Sequence, residues 1–440
     1  MIASSYTLGC WFLSTVYIWI GNPLGRKNSI LIGDILVIIG GALQASAWSV
    51  AQMIVARVIC GFGVGFISCT VPTYMSEMSI LKTERGPEVA IQCIYLINGV
   101  ALAYWLDFGF VQMENQASWR IPIALQSVFA LVSLCGIIML PDTPRWYYAK
   151  GRIEEADDVL SRLHGLPLDS APVQQQRQEI LDTIELEKTH ARINLMDLFW
   201  DRSELRTGKR LRISFLILAI QQNMGINVLV YYSTVILAQI GLSPFMTGLL
   251  AAVQNTAFAI GTWGLPSTIE RIGRRPILLW SAGACTVAMA IFVAMNGVEN
   301  KTIATQWTAV AFVIIFVLIF GYGWIGIPWL YGPEIAPLRY RHLGGAFGAF
   351  GEWSMTFITV FAGGIALQEV SWAIWFWQLG SCALAVPFVY YLCPETAGKS
   401  LEQIDGIFLK HADAAHTPAW MDGPASSGAS EKMNVDAKEG

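Results

Sequence analysis

Read for hydrophobicity alone, the chain is a succession of long apolar stretches joined by short polar connections. Stretches of about 20 residues, enough for a helix to cross a bilayer core roughly 30 Å thick, recur along it. They lie near 3–21, 30–50, 53–74, 89–108, 121–140, 212–240, 246–266, 276–295, 306–332, 343–364 and 372–392. The pattern predicts an all-α membrane protein with about eleven spans, since lipid offers no partner to an unpaired backbone group. One long polar segment, 141–211, divides the fifth span from the sixth, and Ile153-Glu154-Glu155-Ala156-Asp157-Asp158-Val159-Leu160 gives it helical periodicity. The expected organisation is a five-span half over 1–140, a cytosolic helical linker over 141–211, a six-span half over 212–393 and a tail over 394–440. After Lys410 the tail has the Ala/Ser/Gly/Pro-rich, polar composition of a disordered segment.

Basic residues set the orientation. Arg26/Lys27, Lys82/Arg85, the long linker, Arg271/Arg274/Arg275 and Arg339/Arg341 fall on alternate connections and so share one side, which the positive-inside rule makes the cytosol. The opposite connections are nearly free of Lys and Arg apart from Lys301, and one carries the glycosylation sequon Asn300-Lys301-Thr302. The C-terminus is therefore expected in the cytosol, and an odd number of spans puts Met1 outside.

Composition narrows the function class. Of 440 residues, 54% are hydrophobic and 14% charged, against about 25% charged in soluble proteins; the mean hydropathy is +0.50. A net charge of −4 gives no basic footprint for nucleic acid. Eight cysteines (Cys10, Cys60, Cys69, Cys93, Cys135, Cys285, Cys382, Cys393) stand singly, which reads as packing rather than a disulfide framework or metal site. The N-terminus lacks the basic start of a signal peptide. No phosphate-binding loop, nucleophile elbow or acid–base constellation stands out, so the reading is of a non-enzyme without metal or organic cofactor.

An internal repeat links the halves. Leu24-Gly25-Arg26-Lys27 returns as Ile272-Gly273-Arg274-Arg275. Pro72-Thr73-Tyr74 with Glu77 and Arg85 returns as Pro328-Trp329 with Tyr331, Glu334 and Arg341, and Pro141-Asp142-Thr143 returns as Pro394-Glu395-Thr396. Two spans precede the second Gly-Arg-Arg turn and one precedes the first, so the sequence reads as a six-plus-six design without its first span. A lopsided first half, with one wall open where a twelfth helix would pack, is the expectation. A chain so arranged is expected to transport poorly, with an upstream span supplying the missing wall.

The same residues carry a resemblance. Arg57 with Gly61-Phe62-Gly63-Val64-Gly65 and Val71-Pro72-Thr73-Tyr74…Glu77, Pro141-Asp142-Thr143-Pro144-Arg145-Trp146, Gln221-Gln222…Gly225-Ile226-Asn227 followed by Tyr231-Tyr232, and Pro394-Glu395-Thr396…Gly398-Lys399-Ser400-Leu401-Glu402 resemble, in order, the signatures of the sugar porters of the major facilitator superfamily, fungal members above all. The likeness runs from about Leu8 to Phe408. It implies two six-helix halves that carry a hexose, disaccharide or polyol across the membrane by alternating access, as a monomer in the plasma membrane, with a proton as the coupling ion in some members. Two departures stand out: Asn22 where the family has an acid before the first Gly-Arg turn, and the absent first helix, which in the family places an acid opposite the residue corresponding to Arg57.

Amides at mid-membrane depth can replace the hydration of sugar hydroxyls, each with two donors and an acceptor. Gln221, Gln222 and Asn227 are such residues, with Tyr231 one turn beyond Asn227 on the same face and Gly225 able to bend the helix between them. The resemblance adds Gln92, Asn255 and Trp329 as contacts, the last as an apolar platform with an indole donor. The competing reading is that these amides are interhelical glue. Glu352, followed by Trp353, departs from the amide usual in the family; about 11 residues from Arg341 it lies roughly 16 Å deep, where an ionisable group is costly and usually functional. It would carry a proton or bind a polar group of the solute, or else remain protonated as a structural donor. Arg57 is assigned either to coupling or to the outer interface. Glu77, Arg85, Glu270, Arg274, Arg275, Glu334 and Arg341 resemble an inner salt-bridge latch that holds the halves together in the outward-facing state. The alternatives to transport are a membrane sugar sensor, disfavoured by the short tail, and an inactive truncated transporter product.

Overall fold

The computed structural model describes residues 2–79, 85–189, 206–298, 302–337, 341–399 and 401–408. The side chains of Asn22, Arg85, Arg341 and Glu402 lie outside the description, as do Lys82, Asn300, Lys301, Arg339 and the tail beyond Phe408. The first half consists of α1 (Ile2–Leu24), α2 (Arg26–Ala45), α3 (Val50–Met78), α4 (Arg85–Val111) and α5 (Ala117–Met139). The linker holds α6 (Pro144–Ala149), α7 (Ile153–His164) and α8 (Ala171–Thr189). In the second half the first span is interrupted: α9 (Thr207–Gln221), a π-turn (Gln222–Ile226), α10 (Asn227–Tyr231) and α11 (Ser233–Gln239). There follow α12 (Pro244–Trp263), α13 (Leu265–Ile272), α14 (Arg274–Asn296), α15 (Ile303–Gly323), α16 (Ile327–Ile335), α17 (Arg341–Glu369), α18 (Trp375–Leu392) and the short α19 (Leu401–Phe408).

Among the described residues, nine segments are long and apolar enough to cross a membrane. The two remaining expected spans are also helices of sufficient length, α1 with 23 residues and α12 with 20. Ser4, Ser5, Thr7, Ser14 and Thr15 dilute the first, and Gln254 and Asn255 the second. Both pack inside the bundle, so their polar side chains are turned into protein instead of lipid. Local signals set the boundaries: Ser49 accepts from the Gln52 N–H at the start of α3, and Thr302 forms a capping box with Thr305 ahead of α15. Pro144 and Pro244 stand in the first turns of α6 and α12, where no N–H is needed.

The repeat is visible as superposable corners. Gly25 has φ 89° and ψ 164°, Gly273 φ 94° and ψ 162°, a conformation open to glycine alone. Both turn the chain from one span into a helix that begins with arginine. In the second half the apolar core is continuous, from Ile213 through Phe320 to Val389. In the first it reduces to a small cluster about Val37, Cys60 and Ala130. Only 11% of the α5 span is buried, against 39% for its repeat mate in the second half. Among the described residues nothing in the first half corresponds to α9–α11, which accounts for the expected lopsidedness.

Among the described residues, five polar contacts stitch the halves along two helix pairs and their neighbours. Trp11 Nε1 donates to Ser354 Oγ at 2.9 Å and Trp353 Nε1 to Ser68 Oγ at 3.2 Å. Trp105 Nε1 donates to Thr256 Oγ1 at 2.9 Å, the Cys93 thiol to the Ile325 carbonyl at 3.9 Å, and the Tyr104 hydroxyl to the Val230 carbonyl. Such interhelical bonds are worth about 0.6 kcal/mol each in a membrane, so they add little to the packing of α1 on α17 and of α4 on α12.

Candidate functional site

The interruption of the first span of the second half is where chemistry collects. Gly225 has φ 106° and ψ −3°, which ends the α pattern of α9 and forces the π-turn; π-turns of this kind cluster at functional sites. The kink gathers the amides that a straight helix would spread over different faces. Asn227 Nδ2 donates to Gln222 Oε1 at 2.7 Å, and Gln222 Nε2 donates to Gln221 Oε1 at 3.2 Å. Gln221 Nε2 donates in turn to the Trp324 and Ile325 carbonyls, at the break between α15 and α16. The three amides therefore form a relay that joins two interrupted helices, with Gln221 0% and Gln222 4% exposed.

Asn227 is also in reach of α17, donating to Thr356 Oγ1 and Thr359 Oγ1, each at 3.3 Å. One turn before Thr356 stands Glu352. The Gln222 amide lies close to its carboxyl, whose Oε2 is buried without a hydrogen-bond partner. Cys93 on α4 and Tyr231 at the end of α10 are near enough to the same carboxyl to feel its charge, as Tyr231 is to Arg57 on α3. An acid with one unsatisfied oxygen, beside a chain of neutral amides, can hold a proton or accept a donor from a solute.

The other expected residues are distributed as follows. Gln92, half-buried, is adjacent to Cys93 on α4. Tyr231 is 38% exposed. Asn255 is fully buried on α12, its Nδ2 bonded to the Ala251 carbonyl at 2.9 Å and its Oδ1 unpaired. Trp329 is half-buried against the core. Trp353 points the other way from the amides, into the α3 seam through Ser68. Arg57 Nη1 reaches the Ile2 carbonyl at 3.4 Å, and the face it begins brings Gly61 against the Tyr6 carbonyl of α1.

The end of the bundle that bears Arg26 and Arg274 shows the repeat as chemistry. In the first half Asp142 accepts from the Arg26 and Lys27 N–H groups at 3.3 and 3.2 Å; in the second Glu395 accepts from those of Arg274 and Arg275 at 3.0 and 2.9 Å. Arg26 Nη2 pairs with Glu77 at 2.9 Å, and Arg274 Nη2 with Glu334 at 2.9 Å. Thr143 donates to Glu77 at 2.7 Å and Thr396 to Glu334 at 2.8 Å. Tyr74 and Tyr331 donate to the Pro141 and Pro394 carbonyls at 2.9 and 2.7 Å. Glu270 adds a second carboxylate to Arg274, at 2.6 Å, four residues before it, where Asn22 precedes Arg26. Burial holds the Asp142 carboxyl above the usual carboxylate range, although three backbone N–H groups and Arg26 work against it.

The expected latch takes a different form among the described side chains: the ion pairs of Glu77, Glu270, Arg274 and Glu334 stay within one half or reach the linker, and none joins the two halves. Arg26 and Glu77 sit on adjacent helices, as do Arg274 and Glu334, so each cluster ties together helix ends within its own half. The Arg85 and Arg341 side chains fall outside the described residues.

Several participants were not singled out from the sequence. Thr356 and Thr359 share a face with Glu352 at i+4 and i+7, a periodicity that an inspection of α17 could have found. The Trp324 and Ile325 carbonyls enter because α15 stops short of α16, for which Gly323 and Gly326 were the available signal. Gln254 accepts from Ser233 at 3.2 Å and donates to the Leu229 carbonyl at 3.1 Å, bracing the outer arm of the broken span.

Comparison with known proteins places this arrangement. The "MFS-type transporter oryC" of Aspergillus oryzae is 34% identical over 410 residues, covering 92% of this chain and 76% of the relative. The "Sugar transporter STL1" of Saccharomyces cerevisiae is 33% identical over 413 residues, covering 92% and 72%. The structure of the proton:xylose symporter XylE of E. coli, bound to 6-bromo-6-deoxy-D-glucose, superposes with a TM-score of 0.78 at 21% identity, over 92% of this chain and 88% of that one, which shows the major facilitator fold. The family model described as "Sugar (and other) transporter" matches residues 1–408. With two repeated helical halves, a broken span that carries an amide relay and mirrored clusters, the chain belongs to the sugar (and other) transporter family, as a multi-pass membrane transporter of the major facilitator superfamily.

Proposed function

We propose that this protein carries a neutral, hydroxyl-rich solute, a sugar or polyol, across the membrane by alternating access, coupled to a proton held on Glu352. The observation that carries the reading is the Asn227–Gln222–Gln221 relay, which runs from α17 to the break between α15 and α16 with Glu352 alongside. Amides and threonine hydroxyls match hydroxyl groups as both donors and acceptors. They leave a charged solute uncompensated, so the site selects for neutrality. Gln92, Tyr231, Asn255 and Trp329 complete the solute contacts in this reading, and Arg57 belongs to the coupling machinery.

Glu352 exchanges its proton as the site opens to either side. Its partnerless oxygen makes the charged form costly when the site is closed and dry, so closure favours the loaded, protonated state. The inner clusters about Arg26 and Arg274 keep each half rigid while the seam between them rearranges. The end that bears Arg26, Lys27, Arg274, Arg275 and the linker faces the cytosol, as the positive-inside rule requires, and with it the C-terminal helix α19. The plasma membrane is the site of action, and the chain works as a monomer.

Uptake of a radiolabelled panel of hexoses, pentoses, disaccharides and polyols into transporter-deficient cells tests the reading. Uptake of at least one neutral member, and of no charged analogue, is expected; uptake confined to charged analogues would overturn it.

A further inference from the structure

The Gly225 kink is held from outside the relay. Three side chains of α18, a peripheral helix, meet the π-turn residue by residue. Trp377 Nε1 donates to Asn223 Oδ1 at 3.2 Å, the Cys382 thiol donates to the Met224 carbonyl at 3.4 Å, and the stem of Gln378 lies on Gly225. A Cβ at Gly225 would come within 2.6 Å of Gln378 Cγ. The brace is itself anchored, since Trp375 packs edge-on to Phe292 of α14 with ring centroids 5.0 Å apart. Gln378 is 2% exposed, and its Oε1 has no hydrogen-bond partner.

A buried amide carbonyl without a partner is costly unless another conformation uses it. A π-turn is such a neighbour: its i→i+5 pattern must exchange backbone partners whenever the turn rewinds toward the α pattern. We propose that Gln378 is a positioning residue for transport, which seats the Gly225 kink in this conformation and accepts the backbone N–H released when the outer arm α10–α11 swings. This rests on the solute-site reading given above. It adds that the relay's geometry, and the rate at which it changes, are set from α18.

The test is Gln378→Met, which keeps the bulk and removes the acceptor. In cells that take up the solute, the maximal rates of uptake and counterflow should fall about tenfold, the consequence of one lost hydrogen bond at the moving step. Solute binding to the purified protein should stay within about twofold and thermal stability should be equal or higher, because an orphaned polar group has been removed. Amide hydrogen exchange over 222–227, which needs no transported solute, should slow as the opened turn loses its acceptor. If the methionine variant does not reach the membrane, Gln378→Leu, which also lacks the acceptor, serves with the same expectations. Wild-type turnover and wild-type exchange would overturn the proposal. So would a loss of binding as large as the loss of rate, or a drop in stability that accompanies it. A wild-type protein that moves none of the solutes would count against the solute-site reading, leaving the exchange result to decide this one.

Discussion

The mirrored clusters differ in one respect that can be measured. Among the described residues Arg26 pairs with Glu77 at 2.9 Å, both side chains 10% exposed, while Asp142 accepts from backbone N–H groups. Arg274 pairs with two carboxylates, Glu334 at 2.9 Å and Glu270 at 2.6 Å. Deleting Glu77 removes the carboxylate that pairs with the nearly buried Arg26 guanidinium at 2.9 Å, and breaking a buried pair costs about 3–5 kcal/mol. Deleting Glu334 leaves Arg274 held by Glu270, so the loss should approach that of one charged hydrogen bond, about 1.5–2 kcal/mol. Double-mutant cycles with Ala, read by denaturant unfolding in mixed micelles, should give an Arg26–Glu77 coupling larger than the Arg274–Glu334 coupling by about 1.5 kcal/mol. Introducing Asn22→Glu, which copies the Glu270–Arg274 spacing, should shrink the first coupling toward the second. Equal couplings, or a larger one at Arg274, would refute the argument that the second carboxylate makes the difference.

Other consequences follow from the site. Asn227→Ala or Gln221→Ala should weaken uptake about 5- to 150-fold, the range of one unpaired buried polar group, with insertion intact; unchanged solute affinity in both variants would assign these amides to helix packing. Gly225→Ala should lose solute binding as well as rate, because the added methyl meets Gln378 and cannot hold φ 106°; binding at wild-type strength would show the kink to be dispensable. Asp142 is held above its ordinary range by burial, so its folded form binds a proton more readily than the unfolded chain. Its contribution to stability therefore falls as pH rises through that window, and Asp142→Asn should flatten this slope in unfolding measured from about pH 4 to 7.

The fold was legible in the sequence because lipid imposes a coarse rule: each span had to be apolar, helical and about 20 residues long. Where polar residues diluted the signal, at Ser4 to Thr15 and at Gln254-Asn255, the span was still found because its length and flanking turns were right. The repeat set Asp142 and Glu395 at matching positions, but that they accept from the backbone N–H groups after Gly25 and Gly273 is seen only in the structure. The site was legible only in part. Gln221, Gln222 and Asn227 were visible as amides in an apolar run, with Gly225 as the bend between them. The residues that receive their hydrogen bonds, Thr356, Thr359 and the Trp324 and Ile325 carbonyls, depend on which helices become neighbours, and no local pattern records that. Trp353, the aromatic beside Glu352, donates to Ser68 across the seam, a partner that likewise depends on which helices become neighbours.

Transport of a neutral solute driven by a proton on Glu352 is tested most directly in liposomes that contain the purified protein. An imposed pH gradient, acidic on the side from which the solute is offered, should drive accumulation above equilibrium, and a protonophore should abolish it. Glu352→Gln, which keeps size and hydrogen bonding but cannot titrate, should exchange solute down its gradient and fail to concentrate it. Accumulation by the Gln variant equal to that of the wild type, under the same gradient, would contradict the account.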